Sequence, residues 1–155
     1  MDHIISLSNI NYFGLRFGTV NGMSKNFRTD LMMHRMFEQA KKNNNILIHN
    51  PKVMRSILGI NDLCRAVLSI IKHKSNPGIY NLSSFNATID EISDLVARST
   101  KSEKSIDKSF SKSYSYTINS NKFKNTFNFK FTDTASKLLK EIQKGYPKTN
   151  KTNRL

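Results

Sequence analysis

The chain of 155 residues has no tryptophan, a single cysteine, three prolines and few acidic residues. Its 11 Asp and Glu are outnumbered by 25 Lys and Arg, which gives a formal net charge of +14. The single cysteine, Cys64, excludes an intramolecular disulfide and a cysteine-rich zinc site. The excess of positive charge raises three interpretations: a solvated basic surface, a nucleic-acid interface, or attraction to phosphorylated small molecules.

Long apolar runs are also missing. No stretch approaches the roughly 20 apolar residues that a membrane-spanning helix needs. The first residues, Met1 to Ile4, lack the basic region and the apolar core of a secretory signal. We therefore expect a cytoplasmic protein with no membrane contact, and its 37% hydrophobic residues suit one globular domain.

The basic residues do not form a cluster. After Lys101 the lysines are spaced among Ser, Asn and Thr. Such spacing favours a solvated surface over a nucleic-acid interface, because charge alone specifies no mode of binding. Attraction to phosphorylated small molecules is a third interpretation of the same charge.

What is present is an alternation of short apolar runs with segments of helical periodicity. The run at 12–20 is mostly apolar, which predicts a strand buried on both faces. Thr88 and Glu91 fit a capping box, which predicts the start of a helix. The other predicted elements are a helix at 28–42, a strand at 46–49, an extended stretch at 53–60, a helix opened by Asn61 or Asp62, a strand at 79–82, a long loop at 99–112, a short strand at 114–117, a helix opened by Asn119 or Ser120, and a final helix at 134–144.

Four consecutive segments carry a specific resemblance: "LRFGTVNG" at 15–22, "RTDLMMHRM" at 28–36, "MRSILGINDLCRAV" at 54–67, and "GIYNLSS" at 78–84 with its following helix. Their order and spacing resemble the extended short-chain dehydrogenase/reductases, the NAD-dependent epimerase/dehydratase family. The segment from 113 to 142 is similar to the closing part of that family. The resemblance begins after the family's cofactor and catalytic motifs.

The resemblance implies an α/β fold, namely the C-terminal part of a Rossmann-type protein with its late parallel strands and a small α/β substrate-binding domain. Residues 1–22 would be the remnant of the Rossmann domain, including the last turns of the catalytic helix at 4–8. Residues 23–145 would form the nucleotide-sugar-binding subdomain, and 146–155 a disordered tail.

Two motifs that the family needs for chemistry are absent from the sequence. The six glycines form no Gly-x-x-Gly-x-x-Gly or Gly-x-Gly-x-x-Gly turn, where backbone amides would meet the cofactor pyrophosphate. None of the five tyrosines is followed four positions later by a lysine, so the Tyr-x-x-x-Lys acid/base pair is missing. The complete family uses NAD or NADP, but we expect this chain alone to bind neither and assign it no catalytic residue.

The resemblance places the backbone of Gly18, Thr19 and Val20 near the nicotinamide, although a plain buried strand end explains the same residues. Asn21 stands where the family commonly has Tyr, which puts a substrate contact there in doubt. Gly59 replaces a His or Tyr of the family pattern.

Three further residues match positions that would hold the substrate. Arg55 matches an arginine that forks onto the diphosphate of the nucleotide sugar, with a solvated loop arginine as the alternative. His34 matches an Asn that touches the same phosphates, with a surface helix histidine as the alternative. Lys112, or Lys108, would replace a second arginine without its bidentate geometry.

Two residues are assigned structural roles. Asp62 is expected to cap the helix that it opens, and Cys64 is expected to be a buried, inert thiol. The histidines show no spacing typical of a metal site, so no metal is assigned.

These observations predict the C-terminal, substrate-binding portion of an NAD(P)-dependent nucleotide-sugar epimerase/dehydratase, inactive alone. Its ligand would be a UDP-, dTDP- or GDP-sugar, and its partner a separate Rossmann half or a second copy. Two alternatives remain: a stand-alone nucleotide-diphosphate-binding or regulatory module, and a basic nucleic-acid-binding protein.

Overall fold

Strands and helices alternate along the part of the chain that the structure describes. The structure is a computed structural model, and it describes residues 12–25, 27–73, 76–109 and 113–147. The strands are β1 Phe13–Phe17, β2 Thr19–Asn21, β3 Asn45–Ile48, β4 Met54–Gly59, β5 Gly78–Leu82, β6 Phe85–Thr88 and β7 Glu103–Ile106. The helices are α1 Met32–Asn43, α2 Ile60–His73, α3 Ile89–Thr100, α4 Asn121–Phe127 and α5 Ala135–Gly145. The helix end predicted at 4–8, most of the predicted tail and Lys112 lie outside the described residues.

The strands form three small sheets in which parallel pairing dominates. β1 pairs with β5, β2 with β4, and β3 with β7, all in parallel, while β6 joins β4 antiparallel. Parallel neighbours need long crossover connections, which α1, α2 and α3 supply. The predicted α/β class is confirmed.

The strand predicted at 12–20 is interrupted at Gly18. Before Gly18 the chain pairs with β5, and after it with β4. The backbone N–H of Gly18 donates to the Leu82 carbonyl at 2.9 Å, and a Cβ on Gly18 would lie 2.8 Å from the Ser56 carbonyl oxygen. The chain thus crosses from one sheet to the next where only glycine fits. The prediction of burial on both faces was wrong, because Arg16 and Phe17 are exposed.

Two hydrophobic clusters form the core. The first lies between α1, α3 and α5 and includes Met33, Phe37, Val96 and Leu138. The second lies where α2 and α4 cover the sheet of β1 and β5, and its buried members are Leu58, Ala66, Ile70, Tyr80, Leu82, Phe123 and Phe127. The three sheets therefore share two clusters, and β4 contributes to both through Ile57 and Leu58.

The residues that begin the helices were largely predicted correctly. Thr88 and Glu91 form the complete capping box at the start of α3. Thr134 accepts from the Lys137 N–H at the start of α5, and Ser120 is the N-cap residue of α4. α1 begins later than predicted, because 28–31 forms a turn in which the Leu31 N–H donates to the Arg28 carbonyl.

Two predictions in the second half were wrong. The expected loop at 99–112 contains the end of α3 and the whole of β7, which pairs with β3 over four residues. The sequence of β7, Glu-Lys-Ser-Ile, is mostly polar, and Lys104 forms ion pairs with Asp90 and Asp94 of α3. The strand expected at 114–117 is irregular backbone instead.

Two buried carboxylates join the start of α2 to the chain before α5. Asp62 accepts from the backbone N–H groups of Thr132 and Asp133 at 3.0 and 2.8 Å, and from the Ser84 hydroxyl at 2.7 Å. Asp133 accepts in return from the Asp62 N–H at 3.1 Å. The N-terminus of α2 is thus capped by Asp133, while Asp62, predicted to cap it, lies in its first turn and binds the other segment.

Gly59 is explained by the same contact. A Cβ on Gly59 would lie 2.0 Å from an oxygen of the Asp133 carboxylate. Burial raises the pKa of the Asp62 carboxyl, but the N–H groups of Thr132 and Asp133, with Arg65 and Ser84, bind its charged form and hold the pKa below its usual range.

Replacing Asp62 by Asn should destabilise the fold by about 3 kcal/mol, because several buried donors lose their anionic acceptor. The stabilisation exists above the unfolded carboxyl pKa of about 3.9 and is lost as pH falls through the lower folded pKa. Urea unfolding from pH 3 to pH 7 measures both effects. The control is Asp30→Asn, whose carboxylate is exposed; equal losses in the two variants would contradict this role for Asp62.

Replacing Gly18 by Ala should cost about 2 kcal/mol, because the added methyl group meets the backbone of Ser56. Gly14→Ala is the matched control on the same stretch, since its nearest neighbour is the movable Ile79 side chain at 3.2 Å. Thermal unfolding compares the two. A larger loss for Gly14→Ala would show that the crossing at Gly18 is not tightly packed.

Candidate functional site

A cleft of about 370 Å³ opens beside the N-terminal half of α1. Its walls come from α1, the end of β3, the start of β4 and the residues that flank 110–112. The apolar part includes Met32, Met36, Leu47 and Ile89. The polar part is formed by the side chains Asp30, Arg35, His49, Asn50, Arg55 and Ser113. The cleft therefore joins an apolar wall to a group of cations and hydrogen-bonding groups.

The charges of the cleft favour an anion. Arg35 and Arg55 both line it. The one carboxylate among the described lining residues, Asp30, accepts two hydrogen bonds from Arg28, at 2.7 and 2.6 Å. The hydrogen bond from Arg28 lowers the pKa of Asp30 to about 2, so this carboxylate stays ionised and paired. The two other arginines then give the cleft its net positive charge.

Arg55 is a half-buried residue of β4 rather than the solvated loop residue of the alternative. Its guanidinium donates to the carbonyl oxygens of Met54 and Tyr114 at 3.0 and 2.7 Å, and to the Ser113 hydroxyl at 2.6 Å. It also lies 5.8 Å from the centre of the Tyr116 ring. These three bonds fix the position of the guanidinium at the cleft. Because a guanidinium has five N–H donors, two of them remain for an anion.

Asn21 and His34, the other predicted substrate residues that the structure describes, are not in the lining of this cleft. Asn21 and His34 are buried, with 3% and 1% of their surface exposed. Lys112 lies outside the described residues, and Ser109 and Ser113 line the cleft on either side of it. The structure therefore brings Arg55 to the cleft and buries Asn21 and His34 in the interior.

His34 is a core residue, so the alternative of a surface histidine was wrong. Its ring lies 5.0 Å from the Phe27 ring and forms a hydrogen bond with the backbone of Gly22. Nδ1 of His34 and Oδ1 of Asn21 are buried without a hydrogen-bond partner. Burial lowers the pKa of His34, and the bond to Gly22 and the charge of Asp30 only partly oppose it. At pH 7 the ring is therefore neutral.

Gly18, Thr19 and Val20 lie at the crossing between two sheets. The close approach of Ser56 accounts for Gly18 by itself, Thr19 is exposed, and Val20 packs against the second hydrophobic cluster. The proposed contact with a nicotinamide stays a prediction. Among the described residues no glycine-rich turn leads from a strand into a helix.

Cys64 is exposed, which corrects the prediction of a buried thiol. It lies on the outer side of α2, where the apolar pattern of that helix continues into solvent-exposed positions. In the described ranges no three His, Cys, Asp or Glu side chains are grouped to hold a metal ion. None of the helices there is long and apolar enough to cross a bilayer.

Sequence reasoning missed Arg35 and His49, which also line the cleft. Arg35 is one position from His34 in "MMHRM", so only the orientation of α1 decides which of the two faces the cleft. His49 follows β3, and its Nδ1 lies 3.5 Å from the Asp107 carboxylate. Helical periodicity could have found Arg35, because Met32, Met36 and Gln39 share its side of the helix.

A second cleft, of about 400 Å³, opens after β5 and is mostly polar. Its groups bind one another: the Ser83 N–H donates to the Ser120 hydroxyl at 2.8 Å, and the Asn86 amide donates to the Ile118 carbonyl at 3.1 Å. This network connects β5 and β6 to the start of α4, and we assign it a structural role.

Comparison with known proteins gives a likeness of fold. No protein-family model matches the sequence, and no curated protein matches it. Among solved structures, the enzyme WbmG of Bordetella bronchiseptica in complex with NAD and UDP has a TM-score of 0.77 and 14% identity, over 93% of this chain and 46% of its own. ADP-L-glycero-D-manno-heptose-6-epimerase of Helicobacter pylori has a TM-score of 0.77 and 18% identity, over 93% and 48%. UDP-N-acetylglucosamine 4-epimerase of Bacillus cereus has a TM-score of 0.74 and 20% identity, over 97% and 51%.

The resemblance inferred from the four segments is confirmed at the level of the fold. At these identities the likeness shows the architecture, an α/β arrangement shared with epimerases and dehydratases. The chain spans about half the length of the structures that it matches.

The burial of His34 predicts a pH-dependent stability. Because its folded pKa is lowered, the unfolded chain takes up a proton below about pH 6.5 while the folded chain does not. The free energy of unfolding should therefore fall as pH decreases from about 6.5 toward 5. His34→Gln should remove most of this slope, measured by urea unfolding across that range. A His34 proton resonance in NMR that titrates at or above pH 6.5 would contradict the prediction.

Proposed function

We propose that this chain is the C-terminal, nucleotide-sugar-binding portion of an NAD-dependent epimerase/dehydratase of the extended short-chain dehydrogenase/reductase family. The observation that carries the proposal is the placement of Arg55 and Arg35 in one cleft with an apolar wall. Diphosphate binding needs the cations, and the nucleoside needs flat, apolar contact surface. The sequence segments and the fold of matched epimerases and dehydratases support the same conclusion.

Arg55 would hold the diphosphate. Its guanidinium is already oriented by the carbonyl oxygens of Met54 and Tyr114, so little conformational freedom is lost when an anion binds. The remaining N–H donors and the adjacent Ser113 hydroxyl can bind phosphate oxygens. WbmG was solved with UDP, and a uridine diphosphate is therefore the first ligand to test.

The base and sugar of the nucleotide would lie against the apolar wall. Met32, Met36 and Leu47 belong to two different elements, α1 and β3, and Leu47 is 44% exposed despite its apolar side chain. A ligand that covers Leu47 would gain hydrophobic stabilisation that the free chain lacks. UDP-, dTDP- and GDP-sugars all have the required chemistry, and the wall does not distinguish them.

The chemistry of the complete family would need a second unit. NAD supplies the hydride acceptor in that chemistry, and the described residues include no glycine-rich turn for its pyrophosphate. We therefore derive no catalytic step and assign this chain substrate binding alone. A separate dinucleotide-binding half is the partner that such a function requires. The proposed location is the cytoplasm, a reducing compartment in which an exposed thiol such as that of Cys64 stays reduced.

Calorimetric titration with UDP tests the proposal. Arg55→Ala should weaken the affinity for UDP at least about tenfold, because a charge-assisted, oriented contact with the diphosphate is lost. Arg35→Ala should weaken it in the same direction. Arg98→Ala is the matched control, because it removes the same charge from an exposed position on α3.

Two results would contradict the proposal. One is the absence of UDP binding by the folded wild-type chain, and the other is an equal loss in Arg55→Ala and Arg98→Ala. A parallel titration with duplex DNA tests the nucleic-acid alternative, which predicts tight binding with a steep dependence on salt. Thermal unfolding of each variant separates loss of the site from loss of the fold.

A further inference from the structure

His49 and Asp107 directly follow two parallel strands, β3 and β7, and lie at the same end of that sheet. Ile48 and Ile106 are opposite each other in the pair, and the Asp107 N–H donates to the Ile48 carbonyl at 2.9 Å. Nδ1 of His49 lies 3.5 Å from a carboxylate oxygen of Asp107. In α/β folds, ligands bind outside the carboxyl ends of parallel strands. The two side chains thus meet where a binding residue is expected.

The Asp107 carboxylate orients the imidazole ring of His49. Its other oxygen accepts from the Ser109 N–H at 2.7 Å. The hydrogen bonds from Ser109, and then the charge of His49, hold the pKa of the Asp107 carboxyl below its usual range, although burial opposes them. The carboxylate is therefore ionised at neutral pH. A charged acceptor that faces Nδ1 fixes the proton of a neutral imidazole on that nitrogen.

The rest of the His49 ring is open to the cleft that holds Arg35 and Arg55. Nδ1 is buried, whereas the His49 side chain as a whole is 42% exposed and lines the cleft. The exposed part of the ring therefore includes Nε2. This nitrogen is the one that a ligand in the cleft can reach.

The chemistry of Nε2 depends on a proton. A neutral imidazole has one N–H, and Asp107 directs it to Nδ1, which leaves Nε2 with a lone pair. The oxygens of a phosphate diester anion are acceptors as well, so they would meet this lone pair without a hydrogen bond. An imidazolium has an N–H on both nitrogens, and it can donate to Asp107 and to a phosphate oxygen at once.

We propose that His49, oriented by Asp107, is a third ligand of the anion in this cleft, beside Arg55 and Arg35, and that it takes up a proton when the anion binds. The proposal rests on the proposed function and adds a proton to the binding of the nucleotide sugar. The two arginines are permanently charged, whereas histidine changes its charge near neutral pH. The affinity of the cleft for a diphosphate should therefore increase as the pH falls.

The other groups near His49 do not supply this proton dependence. Carboxylates, lysines and arginines ordinarily titrate outside the range from about pH 6 to pH 8. His34 is buried with a lowered pKa, so it stays neutral in this range. The charged groups of the surrounding elements are Asp107 and Lys108 after β7, Lys52 before β4, Arg55 on β4, Asp30 before α1, Arg35 on α1, and Asp90 on α3, which pairs with Lys104.

Calorimetric titration with UDP-glucose, repeated in buffers of different ionisation enthalpy, measures the protons that are taken up on binding. UDP-glucose is the probe because its two phosphates gain no proton near neutral pH, whereas the terminal phosphate of UDP has a second pKa of about 6. At pH 7 the wild-type chain should take up a measurable fraction of one proton. Its affinity for UDP-glucose should rise at least about threefold from pH 8 to pH 6.

His49→Gln should abolish the proton uptake, because the amide has no proton to gain in this range. At pH 6 it should also weaken the affinity for UDP-glucose at least about threefold. His73→Gln is the matched control, since His73 is exposed at the end of α2 and outside the described lining of the cleft. It should leave the uptake unchanged and the affinity within about twofold.

Two further measurements separate binding from a structural role. If the pair of His49 with Asp107 only joined β3 to β7, His49→Gln would lower the thermal stability and leave the proton uptake unchanged. In the wild-type chain at pH 7, the NMR resonance of the His49 ring should move toward its protonated position when UDP-glucose is added. Binding without proton uptake, uptake that persists in His49→Gln, or equal effects of His49→Gln and His73→Gln would overturn the proposal.

Failure of this inference and failure of the proposed function give different results. Binding of UDP-glucose that depends on Arg55 but takes up no proton retains the proposed function and removes His49 from the site. Absence of UDP and UDP-glucose binding by the folded wild-type chain contradicts both.

Discussion

The fold depends on two carboxylates that are removed from water together. Asp62 and Asp133 each accept a backbone N–H from the other's segment, and Asp62 also holds the Ser84 hydroxyl. Ser84 in turn accepts from the Gly59 N–H at 2.9 Å. Four stretches of chain, the end of β4, the start of α2, the turn after β5 and the lead into α5, therefore meet at one point. Each buried charge is tolerated because donors surround it.

This junction also positions the candidate binding cleft. β4 ends at Gly59, directly against Asp133, and it begins at Met54, beside Arg55. Because β4 pairs with β2 on one side and β6 on the other, the strand is fixed along its length. Arg55 is then held at the other end by the Tyr114 carbonyl and Ser113. The orientation of the guanidinium thus follows from a rigid central strand, as precise binding requires.

Local signals were sufficient to predict the features that depend on neighbours in sequence. The capping box of Thr88 and Glu91 involves residues three positions apart, so the sequence contains all of it. Gly18 is different, because its role depends on Ser56, 38 positions later. β7 was missed since a polar strand shows no apolar pattern, and its contacts are with residues distant in sequence, namely β3 and the α3 residues Asp90 and Asp94 that pair with Lys104. The partner of Asp62 could not be predicted, because Asp133 is distant in sequence and matches no local motif.

The same distinction between local signals and long-range packing applies to the candidate site. Arg55 was predicted from its motif, but a motif does not show that Arg35 rather than His34 faces the cleft. That choice is made by packing: His34 lies against Phe27 in the aromatic group that Tyr146 completes, and the turn of α1 then directs Arg35 outward. A neutral histidine suits the apolar interior and a permanent cation suits the cleft. Packing within the described residues thus decides which basic side chains reach the candidate cleft, and it brings Arg35 and Arg55 together there.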